Sequence, residues 1–138
     1  MPGYLLDTNV ISETRRQRAD AGVMAFLAAA ESDMLYMSAL TLGELRKGVA
    51  MKRGQDAINA ALLGLWVDGI KSQFADRLLP VDAAVARLWG ELSAQRRLPV
   101  IDTLIAATAL HHGLTLVTRN SRDMAATGAP LLDPWHGL

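Results

Sequence analysis

Tyr4-Leu5-Leu6-Asp7-Thr8-Asn9 is the stretch that decides the fold: three apolar residues, then an acid and two small polar groups. The run is too short for a helix and ends where turns and helix starts are favoured. It predicts a buried strand that opens into a polar edge. Four further runs have the same form: Met34-Leu35-Tyr36, Leu78-Leu79, Leu114 to Val117, and Leu131-Leu132.

Helical patterns lie between these runs. Val23, Phe26, Leu27 and Ala30 share a face after Asp20, which reads as an N-cap. Leu42, Leu45 and Val49 follow Ser38 in the same way. Ile58, Leu62, Leu65 and Trp66 predict a third core-facing stripe, and Val85, Leu88, Trp89 and Leu92 a fourth after Asp82. Val100 to His112 is apolar almost all round, as in a buried central helix, with Gly113 as its C-cap. Short strands alternating with helices predict an α/β domain with a central parallel β-sheet of about five strands. The 138 residues fit one domain, 1–138.

Composition narrows the function classes. Fourteen basic residues balance fourteen acidic ones, so only local clusters can argue for nucleic acid. With no cysteine, disulfides and zinc–thiolate sites are excluded. No apolar run reaches the roughly 18–20 residues of a membrane span. The start has no basic n-region, so no signal peptide is expected and a cytoplasmic protein is.

In parallel α/β sheets ligands sit outside the carboxyl ends of the strands. Four acids fall near such places. Asp7 directly follows the first strand; a plain helix cap is the simpler reading of a lone Asp there. Glu44 lies on an apolar helix in Leu42-Gly43-Glu44-Leu45. Taken alone it would face solvent and pair with Lys47. Gly43 costs about 1 kcal/mol of helix propensity against Ala, which suggests a close backbone approach. Asp102 opens the buried helix, where the helix dipole alone would favour it. Asp123 follows the fourth strand in Thr118-Arg119-Asn120-Ser121-Arg122-Asp123, where it, or Asn120, can reach the same cleft. Carboxylates gathered there repel one another unless cations hold them, and an all-oxygen set suits Mg²⁺ or Mn²⁺. Such ions activate water and stabilise the leaving oxygen in phosphodiester hydrolysis.

Together, Leu6-Asp7-Thr8-Asn9-Val10-Ile11-Ser12-Glu13, Leu42 to Gly48, Asp102 to Ala109, and Leu116 to Asn120 with Asp123 resemble the PIN-domain family. The first stretch looks like the FitB-type branch of VapC toxins. The resemblance implies a three-layer fold and a metal-dependent endoribonuclease, the toxin of a toxin–antitoxin pair, cleaving tRNA or another structured RNA. It implies Mg²⁺ (Mn²⁺ as alternative) on Asp7, Glu44, Asp102 and, fourth, Asp123, which are both the metal-binding and the catalytic residues. Thr8, Asn9, Thr118 and Asn120 would support them. Many relatives have Asp at the place of Asn120, so one metal or two stays open. A cognate antitoxin and a homodimer are further implications.

Arg15, Arg16, Arg46, Lys47 and Arg119 lie beside these motifs and are candidate RNA contacts, although a solvated basic surface gives the same pattern. Few aromatics are available for base stacking. Trp66, Trp89 and Trp135 are expected in the core or a dimer contact. His111 and His112 suit a helix C-terminus and are not expected to bind metal. Two other readings compete. A haloacid dehalogenase-type phosphatase would need an acid two residues after Asp7, where Asn9 stands. A PIN-like interaction module without catalysis would accord with Asn120 but not with the other acids.

Overall fold

Successive residues of a strand point to opposite faces, and β1 (Tyr4–Leu6) buries both. Leu5 is sealed against Ile105, Ala106 and Leu116 on one side. Leu6 is sealed against Val10, Met37 and Val117 on the other. A strand covered on both faces belongs inside a three-layer α/β/α arrangement, which the computed structural model shows for residues 3–136, the residues described.

Four more strands complete the sheet: β2 (Leu35–Ser38), β3 (Leu78–Leu79), β4 (Thr115–Val117) and β5 (Leu131–Leu132). The order is β3-β2-β1-β4-β5 and every pairing is parallel. In register, Leu6 lies beside Met37 and Val117. The chain leaves β1 to build one half of the sheet and returns on its other side to build the second. The order therefore reverses between β1 and β4, and a crevice must open beyond their carboxyl ends.

The helices form the outer layers. One layer holds α1 (Thr8–Glu13), α2 (Ala21–Ala29), α3 (Ala39–Arg53) and α4 (Ala57–Gln73). The other is built on α6 (Val100–His112), with α5 (Ala83–Gln95) packed against it and α7 (Ser121–Met124) at its edge. The caps follow the chemistry of the expected residues. Asp20, Ser38 and Asp82 accept from Val23, Leu40 and Val85 main-chain N–H groups at 3.0–3.1 Å. Gly113 ends α6 at φ 66°, a left-handed conformation in which a Cβ is strained. Gly22 permits a close approach instead: a Cβ there would collide with the Pro134 carbonyl.

Three expectations are corrected. Ile58, Leu62 and Leu65 do not face the core; they are 78, 53 and 69 % exposed. Ala60 and Val67 are buried in their place, with Leu63, Trp66 and Ile70 packed nearby. Helix α4 is apolar on two stripes, and the one with small residues wins because α3 comes close: a Cβ on Gly64 would sit 3.7 Å from Val49. At Gly43, by contrast, a Cβ would meet nothing within 4 Å, so no close approach explains that glycine. Two strand edges also shift. The Met34 N–H is drawn to Glu31 O (3.0 Å) in a 3-10 turn, and Leu114 N–H to Ala109 O (2.8 Å) at the end of α6.

Candidate active site

Asp7 stands where the β1 ladder ends, its N–H donating to Val117 O at 3.0 Å. Both carboxylate oxygens are then tied. Oδ1 accepts the Thr8 N–H at 2.7 Å, capping α1, and Oδ2 accepts the Thr118 hydroxyl at 2.7 Å. Thr118 is fully buried just beyond β4, and its Oγ1 accepts the Asn120 N–H at 3.0 Å. One buried hydroxyl thus joins the ends of β1 and β4 across the crevice. The helix cap expected of Asp7 is therefore present, and the same side chain also reaches across to the end of β4.

Burial raises the Asp7 carboxyl above its ordinary value. The Thr118 and Thr8 bonds pull it down, yet desolvation wins, and Asp102 and Glu44 push it further up. Asp102, half-buried in the first turn of α6, is also raised, by burial first and then by Glu44 and Asp123. No basic side chain is among the causes of either shift. These repulsions link Asp7, Glu44, Asp102 and Asp123, which come from β1, α3, α6 and α7.

Glu44 is exposed and makes no ion pair with Lys47; the Thr8 hydroxyl donates to its Oε1 at 2.5 Å. Thr41, buried on α3, lies 3.1 Å from the same hydroxyl. Thr8 therefore orients one acid by its side chain and caps on another by its N–H. Asp123 sits on the exposed first turn of α7. Asn120 is the N-cap of that helix, without a side-chain cap bond, and it is Asp123 whose charge reaches Asp102. Asn9 follows on α1; its Oδ1 is buried without a hydrogen-bond partner.

The donor chemistry fits a hard divalent cation: carboxylate oxygens only, two of them held above their usual titration range by the fold. Among the described residues, no three acidic or imidazole groups close around a single point as they stand.

The basic residues divide. Arg46 is engaged by Asp68 across α3 and α4, and Arg16 pairs with Glu13 at 3.3 Å. Lys47 lines a cavity beside Glu44, Leu40 and Ile101. Arg15 lies 5.7 Å from the Trp66 ring centre, in a cleft of about 250 Å³ shared with Thr8, Ser12 and Glu44. Arg119 lies 5.1 Å from the ring centre of Trp135. Trp66, half-buried, packs against the core and also walls the cleft beside Arg15. His111 and His112 are exposed at the α6 C-terminus.

Three residues escaped the reading of the sequence. Thr41 belongs to the Thr8–Glu44 group, and the signal for its burial was its four- and eight-residue spacing to Leu45 and Val49 on the core face of α3. Glu13 is a buried carboxylate at the end of α1. Arg77 donates to Ser32, Leu35 and Gln73 carbonyls, tying the start of β2 to the end of α4. A lone charged residue in a sequence carries no sign of such burial.

Residues 4–129 match the PIN domain family model. The toxin FitB of Neisseria gonorrhoeae is 36% identical over 137 residues, covering 96% of this chain and 98% of that protein. The VapC ribonuclease Y4jK of Sinorhizobium fredii is 35% identical over 139 residues, covering 96% and 97%. The crystal structure of FitAcB from Neisseria gonorrhoeae contains a chain that superposes with a TM-score of 0.88 at 34% identity, covering 96% of this chain and 99% of that one. Among the described residues, no helix is long and apolar enough to cross a membrane.

Proposed function

The chain belongs to the PIN-domain family, and we propose that it is a metal-dependent endoribonuclease, the toxin of a toxin–antitoxin pair. The observation that carries this reading is the linked set of carboxylates, Asp7, Glu44, Asp102 and Asp123, at the switch point of the sheet. Relatives named as a toxin and as a ribonuclease, similar over nearly their full lengths, support it.

Asp7, Glu44 and Asp102 would hold the ion, Mg²⁺ with Mn²⁺ as substitute, and Asp123 would complete the set. When bound, such an ion activates water and stabilises an oxyanion leaving group. The protein's own part is positioning. Thr118 and the Thr8 N–H fix Asp7, so that it need not reorganise, and the Thr8 hydroxyl aims Glu44. Asn9, two residues after Asp7 on α1, offers a buried polar atom, and the Asn120 N–H keeps Thr118 in place. Asn9 supplies no acid for a phosphatase of the haloacid dehalogenase kind.

Arg15, Lys47 and Arg119 are the cations available for the RNA backbone; Arg16 and Arg46 already have acid partners. Residues 1–138 act as one nuclease domain on tRNA or another structured RNA. A cognate antitoxin holds it inactive, and a second copy forms a homodimer.

The test is cleavage of total tRNA by partner-free protein in Mg²⁺, Mn²⁺ or EDTA, beside Asp7→Asn. Metal-dependent fragments lost in the variant are expected. Cutting that persists in EDTA or in the variant would overturn the reading.

A further inference from the structure

The turn after α1 carries three arginines, and one buried acid holds it at two places. Glu13 is 4 % exposed. Its Oε2 accepts the Asp20 N–H at 2.8 Å, where the turn ends, and its Oε1 meets Arg16 Nη1 at 3.3 Å, where the turn begins. Glu13 takes no part in the carboxylate set of the candidate active site. A carboxylate withdrawn from water is tolerated only with partners of this kind, and here they prescribe the path of residues 14–19. The first part of that path is further tightened by Arg15 N–H to Ser12 O (3.2 Å) and Arg16 N–H to Glu13 O (3.1 Å).

The consequence of the path is the place of Arg15. Its guanidinium stands over Trp66 of α4, in the cleft that contains Thr8 and Glu44. A cation–π contact with an indole uses no N–H donor of the guanidinium, so they stay available. Among the described residues, the Arg15 side chain makes no hydrogen bond or ion pair, unlike Arg16 and Arg46. A planar fork held this way matches two oxygens of a phosphate.

We propose that Glu13 is a positioning residue: it fixes the turn so that Arg15, seated on Trp66, grips a backbone phosphate of the RNA strand entering the cleft. This rests on the nuclease reading above. The grip recognises phosphodiester and no base.

The experiment measures binding of a short fluorescein-labelled RNA to full-length protein carrying Asp102→Asn, by anisotropy across a range of salt. Arg15→Ala should weaken binding about 5–10-fold and lower the slope of log K against log salt by about 1. Arg15→Lys should restore the slope but only part of the affinity. Glu13→Gln, which keeps the side-chain shape and an acceptor for Asp20, should weaken binding about 3-fold in the Arg15 protein and not at all in an Arg15→Ala background. An equal effect of Glu13→Gln in both backgrounds would make it merely structural and overturn the proposal. Unchanged binding in Arg15→Ala, with the parent binding RNA, would also overturn it and leave the nuclease reading standing. A parent that binds no RNA at any salt would sink both.

Discussion

Replacing Asp102 by Asn should stabilise the metal-free protein at pH 7 while removing its activity. Asp102 is half-buried and accepts no hydrogen bond among the described residues, so the amide breaks no contact. Its carboxyl is raised above the ordinary 3.8 by burial first, then by Glu44 and Asp123. The folded state therefore holds the proton more tightly than the unfolded chain does. The resulting penalty is absent below about 3.8 and grows as pH rises through the folded value. An exposed charge–charge contact is worth about 0.5 kcal/mol after screening. Two repulsive partners and partial desolvation put the relief in Asp102→Asn at roughly 1 kcal/mol. For a chain of this size that is a Tm gain of about 3–5 °C. Thermal unfolding in EDTA should show this gain at pH 7 and its disappearance near pH 3. Saturating Mg²⁺ should reverse the order: an ion at a hundred times its Kd adds about 2.7 kcal/mol to a protein that binds it. A variant that melts at or below wild type in EDTA at pH 7 would show that burial and the neighbouring acids do not destabilise the Asp102 carboxylate.

Asp7→Asn should abolish cleavage yet melt within about 3 °C of wild type, because relieved desolvation offsets the weakened Thr118 bond; a collapsed fold by circular dichroism would contradict this. Thr8→Val removes the donor to Glu44 and the partner of the buried Thr41 hydroxyl, and should lower kcat about tenfold with a loss of about 1 kcal/mol in urea unfolding. Asp123→Asn should weaken metal binding in a calorimetric titration, whereas Asn120→Asp should strengthen it, since the main-chain tie to Thr118 survives. Arg77→Ala strips a donor from three main-chain carbonyls and should cost about 2–4 kcal/mol in urea unfolding, with little effect on kcat of the folded fraction.

The candidate site was legible wherever a local folding rule and a proposed role fall on the same residue. Asp7 ends an apolar run and caps a helix, so its place follows from three residues of sequence. Gly113 and the caps Asp20, Ser38 and Asp82 are read in the same way. What the sequence conceals depends on neighbours far along the chain. Helix α4 offers two apolar stripes, and only the approach of α3 decides that Ile58, Leu62 and Leu65 stay outside. Glu44 reads as a solvent-facing acid until β1 brings Thr8 to it across 36 positions. Glu13 and Arg77 look like surface charges, and their burial follows from partners that only the folded chain supplies. For the fourth position, Asn120 carries no charge and stands as the N-cap of α7, while Asp123 in the first turn of that helix adds to the repulsion that raises Asp102.

In the proposed function, Asp7, Glu44, Asp102 and Asp123 hold the ion on which RNA hydrolysis depends. Titration of Mn²⁺ into partner-free protein, with free Mn²⁺ followed by electron paramagnetic resonance, tests it most directly. Wild type should bind one or two ions, and the Glu44→Gln/Asp102→Asn double variant, still folded, should bind none in the same range. Equal Mn²⁺ uptake by the double variant would contradict the account.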